Sequence, residues 1–379
     1  MLNPPLSLYI HIPWCVQKCP YCDFNSHGLK SALPEKEYVA HLLDDLANDA
    51  KHIGNRTVET IFIGGGTPSL FSAEAIHDIL SGVKSRVNLS DSTEITMEAN
   101  PGTVEAGKFS GFYQAGVNRI SVGIQSFQEK HLGVLGRIHN AHQAENAVKQ
   151  AHTAGLPTFN LDLMHGLPKQ SVDNAMSDLR KGIALAPYHL SWYQLTIEPN
   201  TPFYSRPPEL PDDDILWDIQ EKGHALLEAE GFHQYEISGY AKPGHQCRHN
   251  LNYWRFGDYI GIGCGAHGKI TDAKNGTIHR TVKTKHPRGY MEMSRPYIDS
   301  TTQVQAEDLP FEFFMNRFRL LEPCPINDYH NFTGLTLSDD VQYALDDAQQ
   351  KGLLEITDKT WQVTARGRRY LNSLLSCFV

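Results

Sequence analysis

Three cysteines, Cys15, Cys19 and Cys22, lie in the run Cys15-Val-Gln-Lys-Cys19-Pro-Tyr-Cys22, directly after an apolar-alternating stretch from Leu6 to Pro13. The C-x3-C-x2-C spacing reads as a metal site. The odd number of thiols is the informative part. A cubane [4Fe–4S] cluster held entirely by protein takes four cysteines. Three leave one iron open to a small molecule bound through nitrogen and oxygen. Two other readings stand beside this one. A structural zinc needs a fourth ligand, for which His11 and His27 are near enough in sequence, and two thiols can form a disulfide. Seven cysteines, unevenly spread over 379 residues with no secretory signal, point instead to a reducing, cytoplasmic setting.

Such a loop needs a rigid frame. From Leu6 to about Gly231 short β-like runs alternate with helical ones. The predicted strands are Ser7–Pro13, Thr57–Ile63, Glu94–Glu98, Arg119–Gln125, Thr158–Met164 and His189–Thr196. The predicted helices are Glu35–Lys51, Ala73–Arg86, Val104–Gln114, Ala141–Ala154, Val172–Leu185 and Asp212–Glu230, the last started by an acidic run, Pro211–Asp214. Six βα units imply a parallel sheet with helices outside, because parallel strands need crossovers. Gly116, Gly155 and Gly231 fall where left-handed helix caps are wanted. Leu6, Leu8, Ile10 and Ile12 share one face of the first strand, and Ser7, Tyr9 and His11 the other. The third, fourth and fifth strands repeat that split. A fully packed barrel is apolar on both strand faces. A polar face ending in Tyr9, Glu98, Gln125 and Asp162 therefore predicts an incomplete barrel of six units, α/β in class, with a lumen lined for a sizeable polar ligand.

After residue 231 the pattern changes. Residues 232–304 are read as an extension flanking the barrel's open side, with short strands or loops at Tyr235–Tyr240, Tyr253–Trp254, Tyr259–Ile262 and Thr277–Val282. The stretch Asn250–Gly268 is expected to close over the barrel mouth with His267 near the site. Thr301–Asp308 reads as a linker. Residues 305–379 read as a winged-helix-like unit: helices Phe311–Leu321 and Ser338–Lys351, a wing at Leu353–Ile356 and Trp361–Val363, and a final helix Ala365–Leu375. That unit has seven Lys/Arg against eleven Asp/Glu, and the whole chain 34 against 43, a net −9. Nucleic acid is therefore a poor partner. No run reaches the ~18–20 apolar residues of a membrane span, which leaves room only for transient membrane association.

Gly64-Gly-Gly-Thr-Pro68 ends the second predicted strand. Alone it marks only a tight turn, whose glycines let the backbone approach a ligand. One βα unit after the cysteine loop, the pair resembles the radical S-adenosylmethionine (SAM) superfamily. That resemblance implies a [4Fe–4S] cluster on Cys15, Cys19 and Cys22. It places SAM at Tyr9, Tyr21, Gly65, Gly66, Thr67, Glu98, Gln125, Arg137 and Asp162, with Thr196 lining the adjoining site. Glu98 and Asp162 would accept hydrogen bonds from ribose hydroxyls, and Arg137 would pair with the SAM carboxylate. Each of these polar residues can equally serve a local backbone group.

Within the superfamily, Tyr9-Ile-His-Ile-Pro13 and the residues above resemble the oxygen-independent coproporphyrinogen III oxidase-like proteins along the whole chain. The dehydrogenase of that group has a fourth cysteine two residues after the third, where this chain has Phe24, and a longer N-terminal segment. His249-Asn-Leu-Asn-Tyr-Trp254 is instead similar to the H-N-x-x-Y-W motif of HemW-type haem chaperones. That branch implies haem as cargo, transfer to acceptor haemoproteins such as respiratory-chain components, and an electron donor for the cluster. His249 becomes the candidate haem ligand, with Tyr253 and Trp254 against the porphyrin and Cys247 as a second soft donor. A buried structural histidine is the competing reading of His249, and Cys264, Cys324 and Cys377 read as structural. The alternative function is oxidative decarboxylation of coproporphyrinogen III through a SAM-derived radical, so the sequence leaves open whether the protein is an enzyme.

Overall fold

The computed structural model describes residues 1–103, 108–292 and 294–378. Strands Leu6–Ile12, Thr57–Gly65, Asn88–Ala99, Arg119–Gln125, Thr158–His165 and His189–Gln194 form where the apolar-polar alternation places them. They lie side by side in chain order, each parallel to the next. The third begins six residues before its expected start and accommodates the excess through a register shift against the second, between Val58 and Thr60. Helices cross over between strands, several with side-chain N-caps at Ser72, Asn140, Ser171 and Asp212. Such caps satisfy N–H groups that a helix start leaves unpaired. Gly116, Gly155 and Gly231 all have positive φ after their helices. The third expected helix is described from Lys108 to Ala115; its start at Val104 lies outside the described residues.

Strands form at Tyr259–Ile262 and Thr277–Val282, where short strands or loops were expected, but their pairing was not legible in advance. Asp258–Ile262 adds a seventh parallel strand against Leu6–Ile12, with Leu6 opposite Asp258 and Ile10 opposite Ile262. Strands His267–Asp272, Thr277–Lys283 and Ile298–Gln303 then continue that edge antiparallel. At the far edge Gly239–Ala241 pairs antiparallel with His189–Gln194. The extension thus prolongs the sheet at both edges, and Gly261–Gly265 runs beside the first strand instead of closing over the mouth. The backbone is tight there, since a Cβ on Gly263 would stand 2.5 Å from the His11 carbonyl oxygen. The expected linker begins as strand, because Thr301–Gln303 complete the Ile298–Gln303 ladder. Tyr253–Trp254 is helical, the end of Arg248–Trp254.

That short helix plugs the barrel. Asn252 Nδ2 donates to Ser7 Oγ at 2.7 Å, Ser7 bonds Thr60 Oγ1 at 2.7 Å, and Thr60 bonds His249 Nδ1 at 2.8 Å. The polar strand faces are therefore satisfied by a side-chain network, as buried polar groups require.

The C-terminal unit runs helix Leu309–Arg317, strand Cys324–Pro325, helices Ile326–Thr333 and Asp339–Gln350, then strands Leu354–Ile356 and Thr360–Val363. Its three strands form one small sheet around Phe313, Phe314, Leu345 and Trp361, the order of a winged helix. The first helix starts and stops earlier than predicted, Ile326–Thr333 was not foreseen, and the final helix breaks at Tyr370 into Ala365–Arg369 and Leu371–Leu375.

A buried ion cluster ties extension to barrel. Lys283 Nζ, fully buried, lies 2.6 Å from Asp45 Oδ1 and 2.8 Å from Asp49 Oδ2 on the first helix, Glu35–Asp49. Burial pushes Asp45 up to about 6, against the pull of Lys283. Removing one partner strands the other charge in a dry site. Lys283→Met is expected to cost about 3–5 kcal/mol, read as a lowered midpoint in urea unfolding.

Candidate functional site

The cysteine loop leaves the first strand at Trp14 and returns beside it. His27 N donates to Pro13 O at 2.7 Å and Leu29 N to Cys15 O at 2.8 Å. Both ends of the loop are thereby pinned. All three thiols open onto a cavity of about 440 Å³ at the C-terminal ends of the strands, and none is in a disulfide. Burial pushes the Cys15 and Cys22 thiols up, so thiolates form there when metal displaces the protons. Among the described residues no group of three His, Cys, Asp or Glu stands close enough to clasp a metal ion, and a polynuclear cluster holds its thiolates farther apart than one ion does. The histidines considered for zinc are otherwise engaged. His11 Nε2 bonds Asn25 O at 2.8 Å and Nδ1 bonds Tyr9 OH at 2.9 Å, while His27 Nε2 meets Asn25 Oδ1 at 3.2 Å.

Tyr21, Gly65, Gly66, Thr67, Glu98, Gln125, Arg137, Asp162 and Thr196 line the same cavity. Gly66 brings backbone into close contact, since a Cβ there would sit 2.5 Å from Trp14 O. Glu98 Oε2 accepts from Gly65 N at 3.0 Å. Burial, and then the neighbouring Asp162 charge, pushes Glu98 up to about 8. Asp162 is also raised by burial; Ser121 Oγ donates to its Oδ2 at 2.9 Å and Asn160 Nδ2 to its Oδ1 at 2.8 Å. Gln125, at φ 67°, ends its strand in the left-handed region, and its Oε1 accepts from Tyr193 OH at 2.7 Å. Strain of that kind in a non-glycine residue concentrates at functional sites. Arg137 Nη2 donates to Gly123 O at 2.6 Å, Nη1 lies 3.7 Å from Cys19 Sγ, and its buried Nε has no partner among the described residues. Tyr193, Ser191 and Asn100, which the sequence reading did not single out, share the lining. Alternation along the sixth strand was the signal available for Ser191 and Tyr193.

A second cavity, about 910 Å³, adjoins the first and shares Asp23, Phe24, Ser26, Gly65 and Glu98 with it. Tyr9 opens here and not onto the smaller cavity, together with Tyr253, Trp254, Tyr259, His267 and, from the C-terminal unit, Met315. His249 lines neither. It is 1% exposed, bonded to Thr60 through Nδ1 and to Tyr253 OH through Nε2 at 3.0 Å. Burial holds it down to about 3. The expectation that it reaches haem directly thus meets an imidazole with both nitrogens occupied; what it does is hold Tyr253 against the cavity. Cys247, also 1% exposed and pushed up to about 12 by burial, stays a thiol. Cys264 and Cys324 are buried, as structural cysteines should be.

Residues 9–179 match the radical SAM superfamily model and residues 304–370 the HemN C-terminal domain. The heme chaperone HemW of Escherichia coli (strain K12) is 61% identical, over 99% of this chain and 98% of its own. The chain belongs to the HemW family of radical SAM proteins. The HemW of Haemophilus influenzae is 57% identical, over 99% and 98% of the two chains, and that of Bacillus subtilis 33%, over 98% and 99%. Among solved structures, E. coli coproporphyrinogen III oxidase (HemN), a radical SAM enzyme, superposes with a TM-score of 0.84 at 22% identity, over 99% of this chain and 90% of that one. It shares the fold. A radical SAM family implies a [4Fe–4S] cluster with SAM, and the donor set here suits both: three thiols facing one cavity, a glycine backbone with no room for a side chain, two buried carboxyls and an arginine with an orphaned Nε.

Proposed function

We propose that this protein is a haem chaperone, which binds haem and passes it to acceptor haemoproteins such as respiratory-chain components. Cys15, Cys19 and Cys22 hold a [4Fe–4S] cluster, and SAM occupies the smaller cavity beside it. The observation that carries this reading is the pair of adjoining cavities. One is polar and lies at the thiols; the other, about 910 Å³ and walled by tyrosines and Trp254, suits a broad apolar ring with charged edges, as ligand pockets of about 300–1,000 Å³ do. When bound, cluster and SAM supply one-electron chemistry, for which an external electron donor is needed. The chain's own residues bind and orient. Glu98 and Asp162 accept from ribose hydroxyls, and Arg137 faces the carboxylate. Tyr21, Gly65, Gly66, Thr67, Gln125 and Thr196 shape the remaining wall, with Tyr9 at the boundary through its bond to His11. Among the described residues no helix is long and apolar enough to cross a membrane, and contact with a membrane-bound acceptor would be transient.

The second reading, oxidative decarboxylation of coproporphyrinogen III, is favoured by the fold shared with the E. coli oxidase. Phe24, 57% exposed in place of a fourth cysteine, weighs against it. Anaerobic reconstitution followed by two assays separates them. Haem should bind stoichiometrically and move to an apo-haemoprotein, with no decarboxylation. Turnover of the porphyrinogen would overturn the chaperone reading.

A further inference from the structure

We infer that haem seats in the larger cavity with His267 as its axial ligand, and that the Arg248–Trp254 helix forms the wall of that seat without ligating iron. This rests on the haem-chaperone reading. Three histidines open on the cavity, His11, His27 and His267. The first has both ring nitrogens occupied, by Asn25 O and Tyr9 OH. The second bonds Asn25 Oδ1 and packs edge-on against His286 at 5.4 Å. Exposed at the start of strand His267–Asp272, His267 has no hydrogen bond at either ring nitrogen among the described residues. A free imidazole nitrogen is what iron requires.

The surroundings agree. Partial burial of the ring, and then the charges of Lys285 and Arg280, hold His267 below its ordinary value, which favours the neutral imidazole with a lone pair on one nitrogen. Arg280 is already committed to Tyr259 OH at 2.8 Å and Glu312 Oε2 at 2.6 Å. Lys285 is exposed and makes no ion pair among the described residues, and with Lys18, which also lines the cavity without an ion pair, it is placed to meet a propionate. The rings of Tyr253 and Tyr259 meet edge to face at 4.6 Å, an amphipathic wall for a porphyrin. Tyr253 is fixed in that wall by His249, and Asn252 and Thr60 fix the helix. The role of the motif is then positional.

The test is titration of ferric haem into the full-length protein and three variants, followed by the Soret band and low-temperature electron paramagnetic resonance. His267→Ala should lose the histidine-ligated signal and bind at least about tenfold more weakly, the lower end of what losing even a partner behind a ligand costs. Added imidazole should restore the signal. His249→Ala should weaken binding yet keep the wild-type spectrum, and Lys285→Met should do the same. A wild-type spectrum in His267→Ala, or a loss that imidazole does not restore, overturns the assignment of the ligand while the chaperone reading stands. Failure of the wild-type protein to bind haem overturns that reading itself.

Discussion

Replacing Cys15, Cys19 or Cys22 by alanine, one at a time, is expected to abolish retention of the cluster. Three thiols facing one cavity leave no spare thiol there among the described residues: Cys264 spends its thiol on Lys285 O at 2.8 Å, and the nearby His11 and His27 are hydrogen-bonded. Iron and acid-labile sulfide should fall to background in each variant after anaerobic reconstitution, and SAM binding should fall with them. The fold should not. Pro13 O and Cys15 O anchor the loop through backbone bonds that the substitutions leave intact. Stability of the metal-free Cys19→Ala and Cys22→Ala proteins should stay within about 1 kcal/mol of wild type. A variant that retains a full complement of iron would exclude that cysteine as a ligand.

Glu98→Gln should act in two directions, weakening SAM while stabilising the empty protein. The carboxyl is raised from 4.5 to about 8 by burial and then by Asp162, so it is neutral in the fold at pH values where the unfolded chain carries it ionised. Stability from this group is complete below its ordinary value, drains away as pH rises through the interval, and is lost above the folded value. At about 1.36 kcal/mol per pH unit the full interval amounts to ~5 kcal/mol, and ~3 kcal/mol at pH 7. Glutamine keeps an oxygen for Gly65 N–H and removes the titration. Unfolding curves of the two ligand-free proteins should nearly coincide around pH 5 and diverge around pH 9, the variant being the more stable. A gap that does not change with pH would mean that ionisation of Glu98 has no part in it. SAM affinity of the reconstituted variant, measured separately, should drop because the amide replaces one of the two carboxyl oxygens facing the ribose with an NH2 donor.

The barrel and its cavity were legible because both rest on period-two alternation. Glu98 and Asp162 could be picked out as lumen residues at strand ends, and they line the cavity at the thiols. Tyr9, chosen by the same rule, turns to His11 and the neighbouring cavity, since alternation fixes a face but not which compartment a ring enters. The helix Arg248–Trp254 was missed for a clear physical cause. It has only seven residues, too few to show amphipathic periodicity, and its N-terminal N–H groups are capped from afar: Arg248 N bonds Glu94 Oε2 at 3.1 Å and His249 N bonds Glu94 Oε1 at 3.0 Å. A cap supplied from more than 150 residues away leaves no local trace. Asp258–Ile262 could be anticipated only as a short strand or loop, and its parallel pairing was hidden because its partner is the first strand of the chain.

That pairing sets an order of events for a chain being made. The strand that launches the cysteine loop has neighbours on both sides, Thr57–Gly65 and Asp258–Ile262. A nascent chain acquires the first early and the second only after some two hundred further residues have been synthesised. Contacts of such sequence separation form late. Until then the strand is a bare edge able to pair with another chain, and the Cys264 carbonyl to which Asn25 Nδ2 donates at 3.0 Å is not yet in place. The cysteine loop therefore gains its full set of neighbours only once roughly two-thirds of the polypeptide has left the ribosome, and a cluster held there would be inserted late in the protein's biogenesis.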